Sequence, residues 1–453
     1  MTAFALALLS PALAGEAPRI AYERYTLPNG LQVILAEDHS VPFVWTNLWY
    51  DVGSKDETPG RSGFAHLFEH LMFQGSQHMN GEYFGPLQKV GAVINGTTNL
   101  DRTNYFEGVP AEQLPLALWL ESDRMGYLLP ALDQAKLDNQ KAVVRNERRQ
   151  RYDNVPYGQF WPLLLENVFP VGHPYHIATI GKHEEIEAAS LEDVKAFFAK
   201  WYVPSNASLV VCGDFDPRTA RRLIEGYFGE LPTVPKPAHA PAPAPVAFER
   251  QVTVTATDDV SFEKVWLAWP TPAMYAPGDA DLDVLSHALA GGKDSRLHRR
   301  LVKELQVAQD VDAGQASLRL QSLYTVEATV APGHTADEVI AAVDAVMAEL
   351  RAAGPTPDEV ATARTLYEVS FHGSLASTQG KADRLNGWAL TLNEPDGAAI
   401  DLARYDAVTV ESVRAAASTW LPADRRLVLR IQPDPVAAGA SAPAVPVPAA
   451  GGK

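Results

Sequence analysis

The chain of 453 residues is long enough for two domains with substantial cores, and its 46% apolar and 21% charged residues are those of a globular protein. A formal net charge of −17 with no basic stripe excludes a nucleic-acid-binding surface. Beyond the N-terminus no stretch approaches the roughly 18 apolar residues of a membrane span, and one cysteine leaves no disulfide to hold the fold.

Residues 1–15 form an apolar run ending in Ala12-Leu13-Ala14, a small-x-small cleavage pattern. They read as a signal peptide for export to the periplasm or beyond, although no Lys or Arg precedes the run. Residues 25–35 read as two short strands joined at Asn29-Gly30, 41–52 as a further strand and 53–63 as a polar loop. Helix is predicted over 63–73 and 83–90, then a Thr- and Asn-rich strand pair over 91–106. Residues 114–125 and 133–151 have the period of amphipathic helices, and turn residues at 152–158 end the second. Cys212 lies in an apolar run that reads as a buried strand, where a thiol acts as a small hydrophobe rather than a nucleophile.

An internal duplication sets the domain organisation. Helix-patterned residues 190–200, Trp201, Pro204, the Cys212 strand and Asp216-Pro217 recur about 219 residues later as 409–419, Trp420, Pro422, a strand over 427–431 and Asp434-Pro435. The chain therefore reads as an α+β protein of two homologous halves, 16–231 and 247–436, each a mostly antiparallel sheet packed with helices. The Pro/Ala-rich residues 232–246 read as a stiff linker, and 437–453 as an Ala/Pro tail too poor in apolar bulk to join a core.

Within the helix over 63–73, His66, Glu69 and His70 spell His-x-x-Glu-His. At 3.6 residues per turn the two histidines share a face, so both imidazoles can reach one metal ion. Glu69 lies beside them, where a carboxylate can take a proton from water held there. The order inverts the commoner His-Glu-x-x-His of zinc peptidases. The bland alternative is a core helix with hydrogen-bonded histidines, but two at i, i+4 with a Glu between them rarely arise by chance. A catalytic zinc takes three protein ligands and keeps a fourth position open, so a second helix bearing a carboxylate is needed. Glu147, after 76 residues beyond His70, stands in such a helix.

His-x-x-Glu-His, about 75 residues, and then Glu147 within Val143-Val144-Arg145-Asn146-Glu147-Arg148-Arg149 resembles the pitrilysin family of zinc peptidases, which includes insulin-degrading enzyme and mitochondrial processing peptidase. The likeness is to the short bacterial members and covers roughly residues 20 to 435. It implies one zinc per chain on His66, His70 and Glu147, with Glu69 as general base. It also implies two halves closing like a clamshell on unfolded peptides, which add as a strand beside Asn95, Gly96 and Thr97. Two family features are missing: Val302 and Gln309 occupy the places of an Arg and Tyr seven apart, and Gln140 that of an acid seven before the third ligand. In the second half residues 283–287 fall over the motif and keep only His287, so no second zinc site is expected. The resemblance thus implies a zinc-dependent endopeptidase acting as the zinc subunit of a heterodimer, whose homologous partner supplies the Arg and Tyr; a homodimer is the lesser alternative. Two other functions stay open: a non-catalytic peptide-binding or assembly subunit, and a zinc-stabilised structural domain, which would have no use for Glu69.

Overall fold

The computed structural model describes residues 17–435; the signal-peptide and tail readings lie outside the described residues. In the first half, β1 (Glu23–Thr26), β2 (Gln32–Glu37), β3 (Phe43–Tyr50), β4 (Val93–Thr98), β5 (Thr103–Pro110) and β6 (Ala207–Gly213) form one sheet in the order β1-β2-β6-β3-β5-β4. In the second, β7 (Val252–Asp258), β8 (Lys264–Thr271), β9 (Ala308–Ala316), β10 (Ser322–Val330) and β11 (Leu427–Pro433) are ordered β7-β11-β8-β10-β9. Without β1 the two orders are the same, and each sheet has one parallel pair at the same place, β2 with β6 and β7 with β11. The duplication read from the Trp201 and Trp420 helices is therefore a duplication of the whole topology.

The halves are stitched by exchange of equivalent helices. Each is the third long helix after the strand pair β4/β5 or β9/β10, namely Phe160–Val168 and Thr378–Leu392. Leu164, Leu165 and Val168 of the first half share a core with Trp266, Leu427 and Leu429 of the second-half sheet. Reciprocally, Leu385, Trp388 and Ala389 cover Ile34, Trp45, Val210 and Cys212 on the first-half sheet. Asn386 Nδ2 adds a buried hydrogen bond to Asn47 O (2.8 Å). This redraws the clamshell: the two halves of one chain meet through continuous apolar cores, and opening them would put both helices' buried faces into water.

Residues 232–246 carry no helix or strand and are strapped to the first half. His239 bonds Asp56 (Nδ1 to Oδ1, 2.7 Å) and Asp51 (Nε2 to Oδ2, 3.2 Å), while Arg319 of the second half reaches Asp51 from the other side (2.7 Å). Cys212 is fully buried in β6, and burial pushes its thiol up to about 12, so it has no thiolate character at neutral pH.

Candidate metal centre

The motif falls on the helix Phe64–Leu71, whose Phe64, Leu67, Phe68 and Leu71 are buried in the first-half core. Four apolar anchors spaced i, i+3, i+4 and i+7 fix the helix's rotation, and that rotation aims His66 and His70 away from the core. A residue unrecognised in the sequence secures its start. Glu57, in what read as a polar loop, accepts from Gly63 N and Ala65 N (both 2.9 Å), so its carboxylate caps the orphan amides of the first turn. Burial pushes Glu57 up to about 8 against those two donors. A Glu six residues before the usual capping position, Gly63, carries no sequence signature, which is why it escapes a local reading.

Glu147 arrives on a later helix, Gln134–Arg148, which is capped by Asp133 on Lys136 N (2.9 Å) and tethered by Lys141 Nζ to Glu187 O (3.0 Å). The helix read as running to Arg151 ends at Arg148 and widens, with Asn154 N bonding Arg149 O (2.8 Å). Arg151, four residues after Glu147, binds Glu147 Oε1 (3.0 Å).

The other carboxylate oxygen completes a triangle. Glu147 Oε2 lies 3.0 Å from His70 Nε2 and 3.5 Å from His66 Nε2, and the two imidazole nitrogens are 3.3 Å apart. Among the described residues this is the one group of three His, Cys, Asp or Glu side chains whose donor atoms converge in this way. Three ligands at zinc distances of about 2.0–2.2 Å in a tetrahedron stand about 3.3 Å apart, so the triangle has the size that zinc requires. The donor chemistry agrees. Burial pushes His66 down to about 4, leaving a neutral imidazole with a lone pair. Burial alone would raise Glu147, but the hydrogen bond to His70 and the nearby imidazoles and Arg151 hold it below the usual range, as a carboxylate.

Glu69, on the same side of the motif helix as the histidines, packs against β4. A Cβ on Gly96 would stand 3.1 Å from Glu69 Cγ, so the glycine is what lets strand and carboxylate meet. Burial raises the Glu69 carboxyl, with Thr98 and His70 opposing the rise. β4 is the free edge of its sheet, and Asn95, Gly96 and Thr97 lie along it. Asn95 Oδ1 accepts from Gly96 N (2.9 Å), and Arg102 braces the strand through Thr97 O (3.0 Å) while covering the Trp49 ring at 4.8 Å. The structure thus brings all seven residues singled out in the sequence to one end of the first half.

Among the described residues the second half has no such centre. The counterpart helix Asp279–Ala290 carries Asp283 and His287; Tyr405 donates to Asp283 Oδ2 (2.6 Å), and burial pushes that carboxyl up to about 6. Val302 packs partly buried against the second-half core, and Gln309 Nε2 donates to Val330 O (3.1 Å).

Known proteins resemble the chain along most of its length. Residues 32–164 match the family model described as insulinase, peptidase family M16, and residues 188–367 the model described as the M16 inactive domain. The Helicobacter pylori protein named zinc protease PqqE is 30% identical over 366 residues, 80% of this chain and 82% of that one. The crystal structure of a protease from Helicobacter pylori superposes with a TM-score of 0.85 at 26% identity, covering 92% of this chain and all of the other. The periplasmic protease PqqL from Escherichia coli has the same fold at 17% identity and a TM-score of 0.75; the match takes in 94% of this chain and 49% of that longer one. With a zinc protease this similar over four-fifths of both chains, and with successive stretches of the chain matching two models of one family, the chain belongs to the insulinase, or pitrilysin, family of peptidases, M16, in its two-half form.

Proposed function

We propose that the chain is a zinc-dependent endopeptidase that hydrolyses peptides or unfolded polypeptides, and that it is the zinc-bearing subunit of a heterodimer. The observation that carries the reading is the triangle of His66 Nε2, His70 Nε2 and Glu147 Oε2 with Glu69 on the same helix, between that triangle and the open edge of β4. His66, His70 and Glu147 would hold one Zn2+ per chain; when bound, the ion acidifies water and polarises a carbonyl. Everything else is work for the chain's own side chains. The free edge of β4 at Asn95, Gly96 and Thr97 binds the substrate backbone as an added strand and fixes the scissile carbonyl in register. Glu69, its proton affinity raised by burial, takes the proton from the attacking water and returns it to the leaving amine. Arg151 holds Oε1 of Glu147, leaving Oε2 toward the histidines.

The partner is inferred from what the second half lacks. Val302 cannot donate a hydrogen bond and Gln309 is committed to Val330, so neither steadies a substrate carbonyl. A homologous chain carrying an Arg and a Tyr seven apart would supply both groups. The export reading of residues 1–15 places the pair in the periplasm or beyond. The test is the native mass and peptide hydrolysis of the chain recovered from its own cell envelope: a one-to-one assembly with a similar-sized chain, active only when assembled, is expected. Full hydrolysis by the isolated chain would refute the heterodimer.

A further inference from the structure

The first-half sheet has a second face, turned away from the metal triangle. Side chains alternate along β4: Gly96 meets Glu69 on the metal side, and Thr97 turns to the opposite side, where the two halves leave a cavity of about 520 Å³ between them. From the first half come Trp49, Thr97 and Arg102, and from the second Met274, Leu318 and Leu390. Trp49, Met274, Leu318 and Leu390 are each only partly buried, so each keeps apolar surface for a molecule held there.

Arg102 is the wall member left without a full set of partners. Its Nη1 is spent on the neighbouring strands, donating to Thr97 O and Asn104 Oδ1 (both 3.0 Å) and to the Thr97 hydroxyl. The other edge of the guanidinium, Nε and Nη2, has no acceptor among the described residues and lies open to the cavity. Elsewhere in this chain that edge holds a carboxylate side-on. Arg296 Nε and Nη2 reach the two oxygens of Glu359 (2.8 and 2.6 Å), and Arg124 grips Glu121 in the same way. The remaining charges of the cavity wall are committed: Arg319 to Asp51 (2.7 Å), Arg384 to Asp401 (3.6 Å), Asp101 to Arg319 N (3.0 Å), and Asp383 to Asn47 Nδ2 (2.5 Å). Burial lowers the pKa of Arg102, and Asp383, Glu69 and Asp101 offset only part of that, so the guanidinium is a desolvated cation short of an anion.

We propose that this cavity binds a small organic monocarboxylate with an apolar body, its two oxygens side-on against Nε and Nη2 of Arg102 and its body among Met274, Leu318 and Leu390. Two parallel N–H groups match the two oxygens of a carboxylate, and the charge strengthens both bonds. An inorganic anion would satisfy Arg102 and leave the apolar wall unused; a neutral apolar molecule would do the reverse. The volume falls within the roughly 300–1,000 Å³ of small-molecule sites. The sheet stands between this site and the metal triangle, so the inference does not depend on the endopeptidase reading.

The test is calorimetric titration of the full chain with 3-phenylpropionate and octanoate, with 3-phenylpropionamide as the neutral match and inorganic phosphate as the bare anion. One acid per chain should bind, with the amide and phosphate each about tenfold or more weaker. Arg102→Gln should weaken the acid about tenfold or more, and Arg102→Lys, which keeps the charge and loses the fork, should restore only part of the affinity. Because Arg102 also braces β4, Leu318→Trp is the second variant: it fills the cavity with Arg102 in place and should abolish acid binding while the urea midpoint stays near wild type. Equal affinity for acid and amide, or for acid and phosphate, overturns the site. So does acid binding that survives both Arg102→Gln and Leu318→Trp, and so does the absence of binding by either acid at about 10 mM.

Discussion

Arg124→Met tests how the layer beneath the metal centre is held. The Arg124 side chain is 1% exposed, and its partners Glu107 and Glu121 are fully buried. Nε donates to Glu121 Oε2 (2.8 Å), and the terminal nitrogen donates to Glu107 Oε1 (3.0 Å) and to the second oxygen of Glu121. The guanidinium lies 4.2 Å from the centroids of both Tyr83 and Tyr105, and Tyr105 in turn meets Phe73, edge to face, under Gly96. Methionine fills similar space without charge and leaves two carboxylates facing each other in the core. Breaking a buried ion pair costs about 3–5 kcal/mol, and the lost ring contacts add about 1 kcal/mol, against a domain stability of about 5–15 kcal/mol. Urea unfolding read by tryptophan fluorescence should therefore show a loss of about 4 kcal/mol at pH 7.5. Burial and Glu121 already push the Glu107 carboxyl up. A carboxyl raised in the folded state destabilises above that raised pKa, and the penalty fades as pH falls toward its ordinary value near 4.5. The deficit against wild type should accordingly shrink between pH 7.5 and pH 5. A loss below about 1 kcal/mol, or a deficit that grows on acidification, refutes the reasoning.

Three further outcomes are expected. His239, raised to about 9 by its bonds to Asp51 and Asp56, contributes stability that is complete below its ordinary 6.5 and lost as pH rises through 9. Wild type should thus exceed His239→Gln by about 1–2 kcal/mol at pH 6 and by little at pH 10, read as urea midpoints; a gap independent of pH contradicts the clasp. Trp388→Ala, which empties the seam between a second-half helix and the first-half sheet, should cost about 3–5 kcal/mol and still give one unfolding transition; separate transitions for the halves would show that the shared cores do not couple them. Gly96→Ala forces a Cβ to 3.1 Å from Glu69 Cγ and Tyr105 Cδ1, so turnover should fall about tenfold or more with zinc content unchanged; undiminished turnover contradicts the placement of Glu69 against β4.

What was legible in the sequence was local or repeated. The motif helix, the Glu147 helix, the β1/β2 hairpin and the buried Cys212 strand each depend on a short period, and the Trp201/Trp420 repeat carried the two-half topology. What stayed hidden depends on contacts between residues far apart in the chain. Phe160–Val168 is a short apolar segment in the sequence, and nothing in it says that the sheet it covers belongs to the other half. Arg124 in a helix and Glu107 in a strand look like surface charges until the fold removes both from water. Glu57 caps a helix from seven residues before its first turn.

The most direct measurement is zinc content and peptide hydrolysis of Glu69→Gln beside wild type, in the assembled protein. One zinc per chain retained, with hydrolysis reduced a thousandfold or more, is the expected result, since the ligands stay and the proton acceptor goes. Hydrolysis within about tenfold of wild type would contradict Glu69 as the base, and a wild-type protein that holds no zinc would contradict the centre at His66, His70 and Glu147.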